Sequence, residues 1–153
     1  MDISRSVDNS LDITVEFLKE LIKIDTQQGK PISQCPFGVG PKKALEKTLD
    51  YCASLGFNVK NIDNYIGYAE IGEGEKLIGI PMHLDIVPPG EGWSVDPFSG
   101  AVIDNIIYGR GAIDNKGAVS MLIHVLKNIE DTYPIINKRI RLIFGTNEET
   151  SWE

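Results

Sequence analysis

The stretch Leu77-Ile78-Gly79-Ile80-Pro81-Met82, running directly into His83-Leu84-Asp85, constrains this chain more than any other feature. A nearly continuous apolar run suits a strand buried on both faces, as in the middle of a largely parallel sheet. The end of that strand then carries an imidazole and a carboxylate. A second strand-like run, Arg139 to Phe144, alternates Ile140, Leu142 and Phe144 with charge and reaches Gly145-Thr146-Asn147-Glu148-Glu149. Open α/β sheets build their sites just past the carboxyl ends of strands. The two runs are therefore expected to be parallel, side by side or one strand apart, with His83 and Glu149 delivered to one place.

Helical spacing fills the intervals between strands. From Ile13 to Ile24, Val15, Phe17, Leu18, Leu21, Ile22 and Ile24 recur with Glu16, Lys19, Glu20 and Lys23 between them. Gln27 to Gly40 is rich in Gly and Pro and reads as a loop. Pro41 then opens a helix lined by Leu45, Leu49, Cys52 and Leu55, with Gly56 where a C-terminal cap belongs. Phe57-Asn58-Val59 begins a strand, Asp63-Asn64 turns it into Tyr65–Ile71, and Gly72-Glu73-Gly74-Glu75 turns again. A loop from Pro88 to Ser99, anchored by Trp93 and Phe98, leads to a hairpin from Ala101 to Tyr108 around Asp104-Asn105. Val119, Leu122, Ile123, Leu126 and Ile129 mark a helix from Asn115 entered through Asp114, and Pro134 ends the connection after it. His124 shares a face of that helix with Ser120 and Lys127 and reads as exposed, not as a ligand. Strands alternating with such helices predict an α/β three-layer sandwich around a mostly parallel mixed sheet.

Composition narrows the function classes. With 153 residues, 42% of them hydrophobic and 24% charged, the chain suits one compact domain or part of one. Formal net charge is −7 and Lys/Arg clusters do not exceed a pair, so no nucleic-acid or anionic-membrane footprint is visible. Met1 to Arg5 lack an apolar leader and no apolar run approaches the roughly 18 residues of a membrane span. A soluble, cytoplasmic protein is expected, with Cys35 and Cys52 as reduced thiols and Cys52 on a helix core face.

The metal-competent side chains are His83 with Asp85, Asp114, and Glu148 with Glu149. Each has an ordinary reading: a hydrogen-bonded surface pair, a helix N-cap, and solvated charge. Their context is Gly79-Ile80-Pro81-Met82-His83-Leu84-Asp85, then Tyr108-Gly109-Arg110-Gly111-Ala112-Ile113-Asp114-Asn115-Lys116-Gly117, then Gly145-Thr146-Asn147-Glu148-Glu149. This ordered set resembles the aminoacylase/carboxypeptidase family of di-zinc metallopeptidases. Within it the chain is most similar to bacterial peptidase V-like dipeptidases, whose Pro-Phe-Gly segment is echoed by Pro36-Phe37-Gly38. Residues 109–111 do not continue into a dinucleotide fingerprint, because Asp114 stands where the third glycine would be.

The resemblance implies a role for each matching residue. His83 would bind one metal and Asp85 would hold its other ring nitrogen. Asp114 would bridge two ions, Glu149 would bind the second, and Glu148 would be the general base that activates water and protonates the leaving amine. Two divalent ions are implied, zinc first, with manganese or cobalt as alternatives. The resemblance also implies a cis bond between Asp114 and Asn115; Asn115 departs from the Asp frequent at that position. The implied activity is hydrolysis of dipeptides or similar amino-acid amides, the alternatives being N-acyl amino acid deacylation or a non-catalytic truncated domain. The family's downstream ligands and lid domain have no counterpart, so residues 1–153 are expected to be the N-terminal part of the catalytic domain. By itself this part is expected to be inactive, to bind metal weakly, to hold at least one carboxylate with a raised pKa, and to expose a sheet edge open to self-association.

Overall fold

The computed structural model describes residues 7–133 and 135–150; the expectations for Met1–Arg5 and Pro134 lie outside the described residues. Helix α1 spans Leu11–Ile22 and buries Phe17, Leu18, Leu21 and Ile22, the i, i+1, i+4, i+5 stripe that its sequence presents. Helix α2 spans Val39–Ser54. Its end is a Schellman arrangement: Gly56 takes φ +93°, its N–H reaches the Ala53 carbonyl at 3.0 Å, and the Phe57 N–H reaches Cys52 at 3.1 Å. Helix α3 spans Lys116–Thr132.

Strands β1 (Asn58–Ile62), β2 (Ile66–Ile71), β3 (Leu77–His83) and β6 (Arg139–Gly145) form one sheet in the order β1-β2-β6-β3. β4 (Ala101–Ile103) and β5 (Ile106–Tyr108) form a separate hairpin. Asp104 and Asn105 both have positive φ there, the geometry of a type I′ turn. β3 and β6 are parallel neighbours, as the sequence predicts, from Leu77 opposite Arg139 to His83 opposite Gly145. The sheet is mixed, but β1–β2 and β2–β6 are antiparallel, so the expected mostly parallel character is confined to the β3–β6 pair.

Ala69 and Ile71 of β2, Leu142 and Phe144 of β6, and Met82 of β3 share one face and join a single core with Phe17, Leu21, Leu45, Leu49, Cys52, Val119, Ile123 and Leu126. All three helices therefore cover the same face, giving two of the three expected layers within the described residues. Gly67 lets α2 come close, since a Cβ there would lie 2.8 Å from Leu49 Cδ1. On the other face Arg141 stacks over Tyr68 at 3.8 Å and pairs with Glu70 at 2.7 Å.

The reading of Leu77–Met82 as a strand buried on both faces is corrected. β3 pairs only with β6 among the described strands, and Leu77 and Ile78 are each 45% exposed. It is an edge strand, and its proline fits that place. The Leu84 N–H bonds to Gly145, so by alternation the N–H groups of Met82, Ile80 and Ile78 face β6 while position 81, which has none, faces the open edge. Burial deepens toward the site, where Met82 and His83 are enclosed. Both cysteines are free and buried, and burial pushes the Cys52 thiol up to about 12. No helix among the described residues is long and apolar enough to cross a membrane.

Candidate metal centre

The parallel register of β3 and β6 places His83 beside Gly145, so the chain beyond β6 turns past the imidazole within four residues. Asp114 comes from a third direction, between the β4–β5 hairpin and α3. Ligand atoms of His83, Asp114 and Glu149 all lie within 4.8 Å of one another. Glu148 joins them, with its Oε2 3.8 Å from His83 Nε2. The five residues singled out from the sequence therefore meet at one end of the sheet.

His83 Nδ1 lies 3.1 Å from the backbone carbonyl of Asp85 and 3.5 Å from its Oδ1. A carbonyl only accepts, so Nδ1 carries a proton and donates, and Nε2 of the neutral ring keeps its lone pair. Nε2 faces Asp114 Oδ1 at 3.0 Å. A lone pair and a carboxylate cannot bond to each other directly; a cation, either a proton or a metal ion, must sit between them. In the metal-free protein it is the proton. Burial opposes the charge, but hydrogen bonds to Asp85 and Asp114 and the nearby Glu148 outweigh it and raise the His83 pKa to about 9. The donor set, one imidazole nitrogen and carboxylate oxygens, is the one that borderline and hard divalent ions such as zinc and manganese take.

Asp85 does more than its expected task. Burial favours its neutral form, but the His83 ring and the N–H groups of Glu148 and Glu149 hold its pKa below the usual value. Its Oδ2 accepts the Glu149 N–H at 2.9 Å, tying the end of β3 to the turn after β6. Glu149 is shifted upward first by burial and then by Asp114, so one carboxylate is raised as expected, with burial ahead of crowding as the cause. The Asp114–Asn115 bond is cis, as the resemblance implied.

Two readings of helix α3 need correction. Asp114 does not cap it: Asn115 holds the N-cap position, no side chain caps there, and the Asp114 side chain is 71% exposed toward the centre. His124 is buried, not exposed, because α1 and α2 both pack over its face. Its Nδ1 donates to the Ser120 carbonyl at 2.8 Å and its Nε2 accepts from the Tyr51 hydroxyl at 2.8 Å. Sequence reading also passed over Lys116, which is fully buried beneath the site. Only its place two residues after Asp114 hinted at that, since lysine is ordinarily a surface residue.

Residues 79–152 match the family model for peptidase family M20/M25/M40. The chain is 38% identical over 152 residues to "Putative dipeptidase YtjP" of Bacillus subtilis (strain 168), covering 99% of this chain and 32% of that protein. It is 34% identical over 141 residues to "Putative dipeptidase SH1171" of Staphylococcus haemolyticus, covering 91% of this chain and 30% of that protein. The chain thus spans about a third of the length of these relatives. Its fold superposes on human carnosine dipeptidase 1 with a TM-score of 0.83 at 25% identity, over 97% of this chain and 35% of that one. An M20 family metallo-carboxypeptidase from Sulfolobus solfataricus gives 0.74 at 26% identity, over 91% and 32%. Sequence similarity, fold and a metal-competent triad beside the ends of β3 and β6 agree: over residues 79–152 the chain is similar to peptidases of the M20/M25/M40 family.

Proposed function

We propose that this chain forms the N-terminal part of the catalytic domain of a cytoplasmic, metal-dependent hydrolase of dipeptides or similar amino-acid amides. The observation that carries the reading is the convergence of His83, Asp114 and Glu149 within 4.8 Å, beside Glu148, at the ends of adjacent parallel strands. In this reading His83, Asp114 and Glu149 would hold two divalent ions, zinc first. When bound, such ions supply Lewis acidity that makes water nucleophilic near neutral pH and polarises the scissile carbonyl. Glu148, within 4 Å of His83 Nε2 but outside the triad, takes the proton from water and returns it to the leaving amine. Asp85 fixes the His83 tautomer through Nδ1 and places Glu149 through its backbone N–H.

A dipeptide is favoured over an N-acyl amino acid as substrate because the similar proteins named above, apart from the carboxypeptidase, carry dipeptidase names. Two free thiols agree with a reducing, cytoplasmic setting. The test is hydrolysis of a dipeptide panel by the full-length protein that contains residues 1–153, purified and loaded with zinc or manganese, with N-acetyl amino acids alongside. Metal-dependent dipeptide cleavage that disappears in Glu148→Gln supports the reading; cleavage indifferent to metal and to Glu148 rejects it.

A further inference from the structure

Among the largest fully buried side chains of the described residues, beside Phe144, is a lysine, Lys116. An ammonium withdrawn from water is costly unless its surroundings compensate it. Its Nζ donates to the Ile24 carbonyl at 2.8 Å, and the carboxylates of Asp25 and Asp85 act on its charge. The path of its stem is open because Gly111 has no Cβ: one there would stand 3.1 Å from Lys116 Cδ and 2.9 Å from Ile86 Cγ2.

The segment that Lys116 grips is itself fastened to the other half of the site. Thr26 Oγ1 donates to the Leu84 carbonyl at 2.8 Å, and the Ile86 N–H donates to the Thr26 carbonyl at 3.3 Å. Leu84 and Ile86 flank Asp85 and follow His83, while Lys116 follows Asp114 by two residues. Behind the segment stands the first turn of α2, where a Cβ on Gly40 would lie 1.9 Å from the Asp25 carbonyl oxygen, so the strap cannot retreat. Residues 24–26 therefore span the two chain segments that bring His83 and Asp114 together, with Lys116 as the clasp on one side and Thr26 on the other.

We infer that Lys116 is a positioning residue: through the Ile24–Thr26 strap it sets the separation of Asp114 from His83 and Asp85, and so the metal affinity of the centre. The inference rests on the proposed metal centre. Neither clasp belongs to the metal-competent triad, so the effect is read on metal affinity and metal spectroscopy and not on folding alone.

The experiment titrates the purified protein with zinc against a chromophoric chelator and records the visible spectrum of its cobalt(II) form. Lys116→Met keeps the stem and removes the donor; it should weaken zinc binding about 10-fold or more, the scale typical of residues that orient metal ligands. Its cobalt spectrum should change while its far-ultraviolet circular dichroism does not. Thr26→Val, which releases the opposite clasp without stranding a charge, should change both readouts in the same direction, and it decides the question where Lys116→Met does not fold. Wild-type zinc affinity and an unaltered cobalt spectrum in the folded variants overturn the inference. His83→Ala separates the two levels. If it binds zinc as well as the wild type, the proposed centre itself fails; if it loses zinc while both clasp variants are silent, only the positioning role fails.

Discussion

The two histidines occupy opposite regimes at nearly equal burial, His83 being 6% and His124 5% exposed. Each donates Nδ1–H to a backbone carbonyl and turns Nε2 toward a side-chain oxygen within 3.0 Å. The difference lies in that oxygen. The Tyr51 hydroxyl has a proton to give, so His124 is satisfied as a neutral ring inside the helical layer, and burial lowers its pKa. Asp114 has none, so the His83 end of the sheet demands a cation. Depth does not distinguish a structural histidine from a ligand; the donor capacity of the atom facing Nε2 does.

The sharpest way to break this contrast is at the base. In the full-length protein, Glu148→Gln should lower kcat for a dipeptide by about 10²–10⁴, the usual contribution of a general base, while zinc affinity stays close to wild type. A loss below tenfold would remove the chemistry from this end of the molecule. Next in size, His83→Ala should weaken zinc binding by about 100-fold or more, since even residues that merely orient ligands contribute 10- to 100-fold. Isothermal titration checks this, and His124→Ala in the same experiment should leave affinity unchanged.

His124→Ala should instead cost stability, about 1–3 kcal/mol, because the Ser120 carbonyl and the Tyr51 hydroxyl each lose a partner in a largely buried place. Urea unfolding would measure it. A cost near zero would mean that water replaces the ring and that the helical layer is looser there than the packing of Phe17 on Tyr51 at 4.0 Å implies.

The smallest effect, and the most direct reading of the contrast, is the pair of titrations. His83 in the metal-free protein has its pKa raised from 6.5 to about 9, so its stabilising contribution is full below 6.5 and is lost as pH climbs through about 9. His124 is lowered, so on acidification below 6.5 the unfolded chain takes its proton first and stability falls. Nuclear magnetic resonance should show the two ring signals titrating on opposite sides of 6.5. Zinc should abolish the His83 titration and release its proton near neutral pH, leaving His124 untouched.

Much of the candidate site was legible because its signal is local. His83 and Asp85 sit just past an apolar run and Glu148 and Glu149 just past an alternating one, and parallel strands put such ends together. Asp114 needed the motif around it, since an aspartate before a helix has an ordinary capping role that the structure does not give it. What stayed hidden is non-local. Nothing in the text around Lys116 points to Ile24, 92 positions away, and nothing around His124 announces that Tyr51 will cover it.

The sequence by itself determined the elements, the turns and the chemical inventory. Helical and strand periodicity, the left-handed turns at Asp104-Asn105 and Gly56, and the order of metal-competent residues all depend on neighbours a few positions apart. Tertiary structure alone decided the environment of each side chain: that β3 lies at an edge, that all three helices cover one face, that a lysine is fully enclosed, and which histidine meets a donor and which a carboxylate. Burial and protonation depend on groups brought in from distant parts of the chain, because electrostatic and desolvation energies follow distance in space and not separation in sequence.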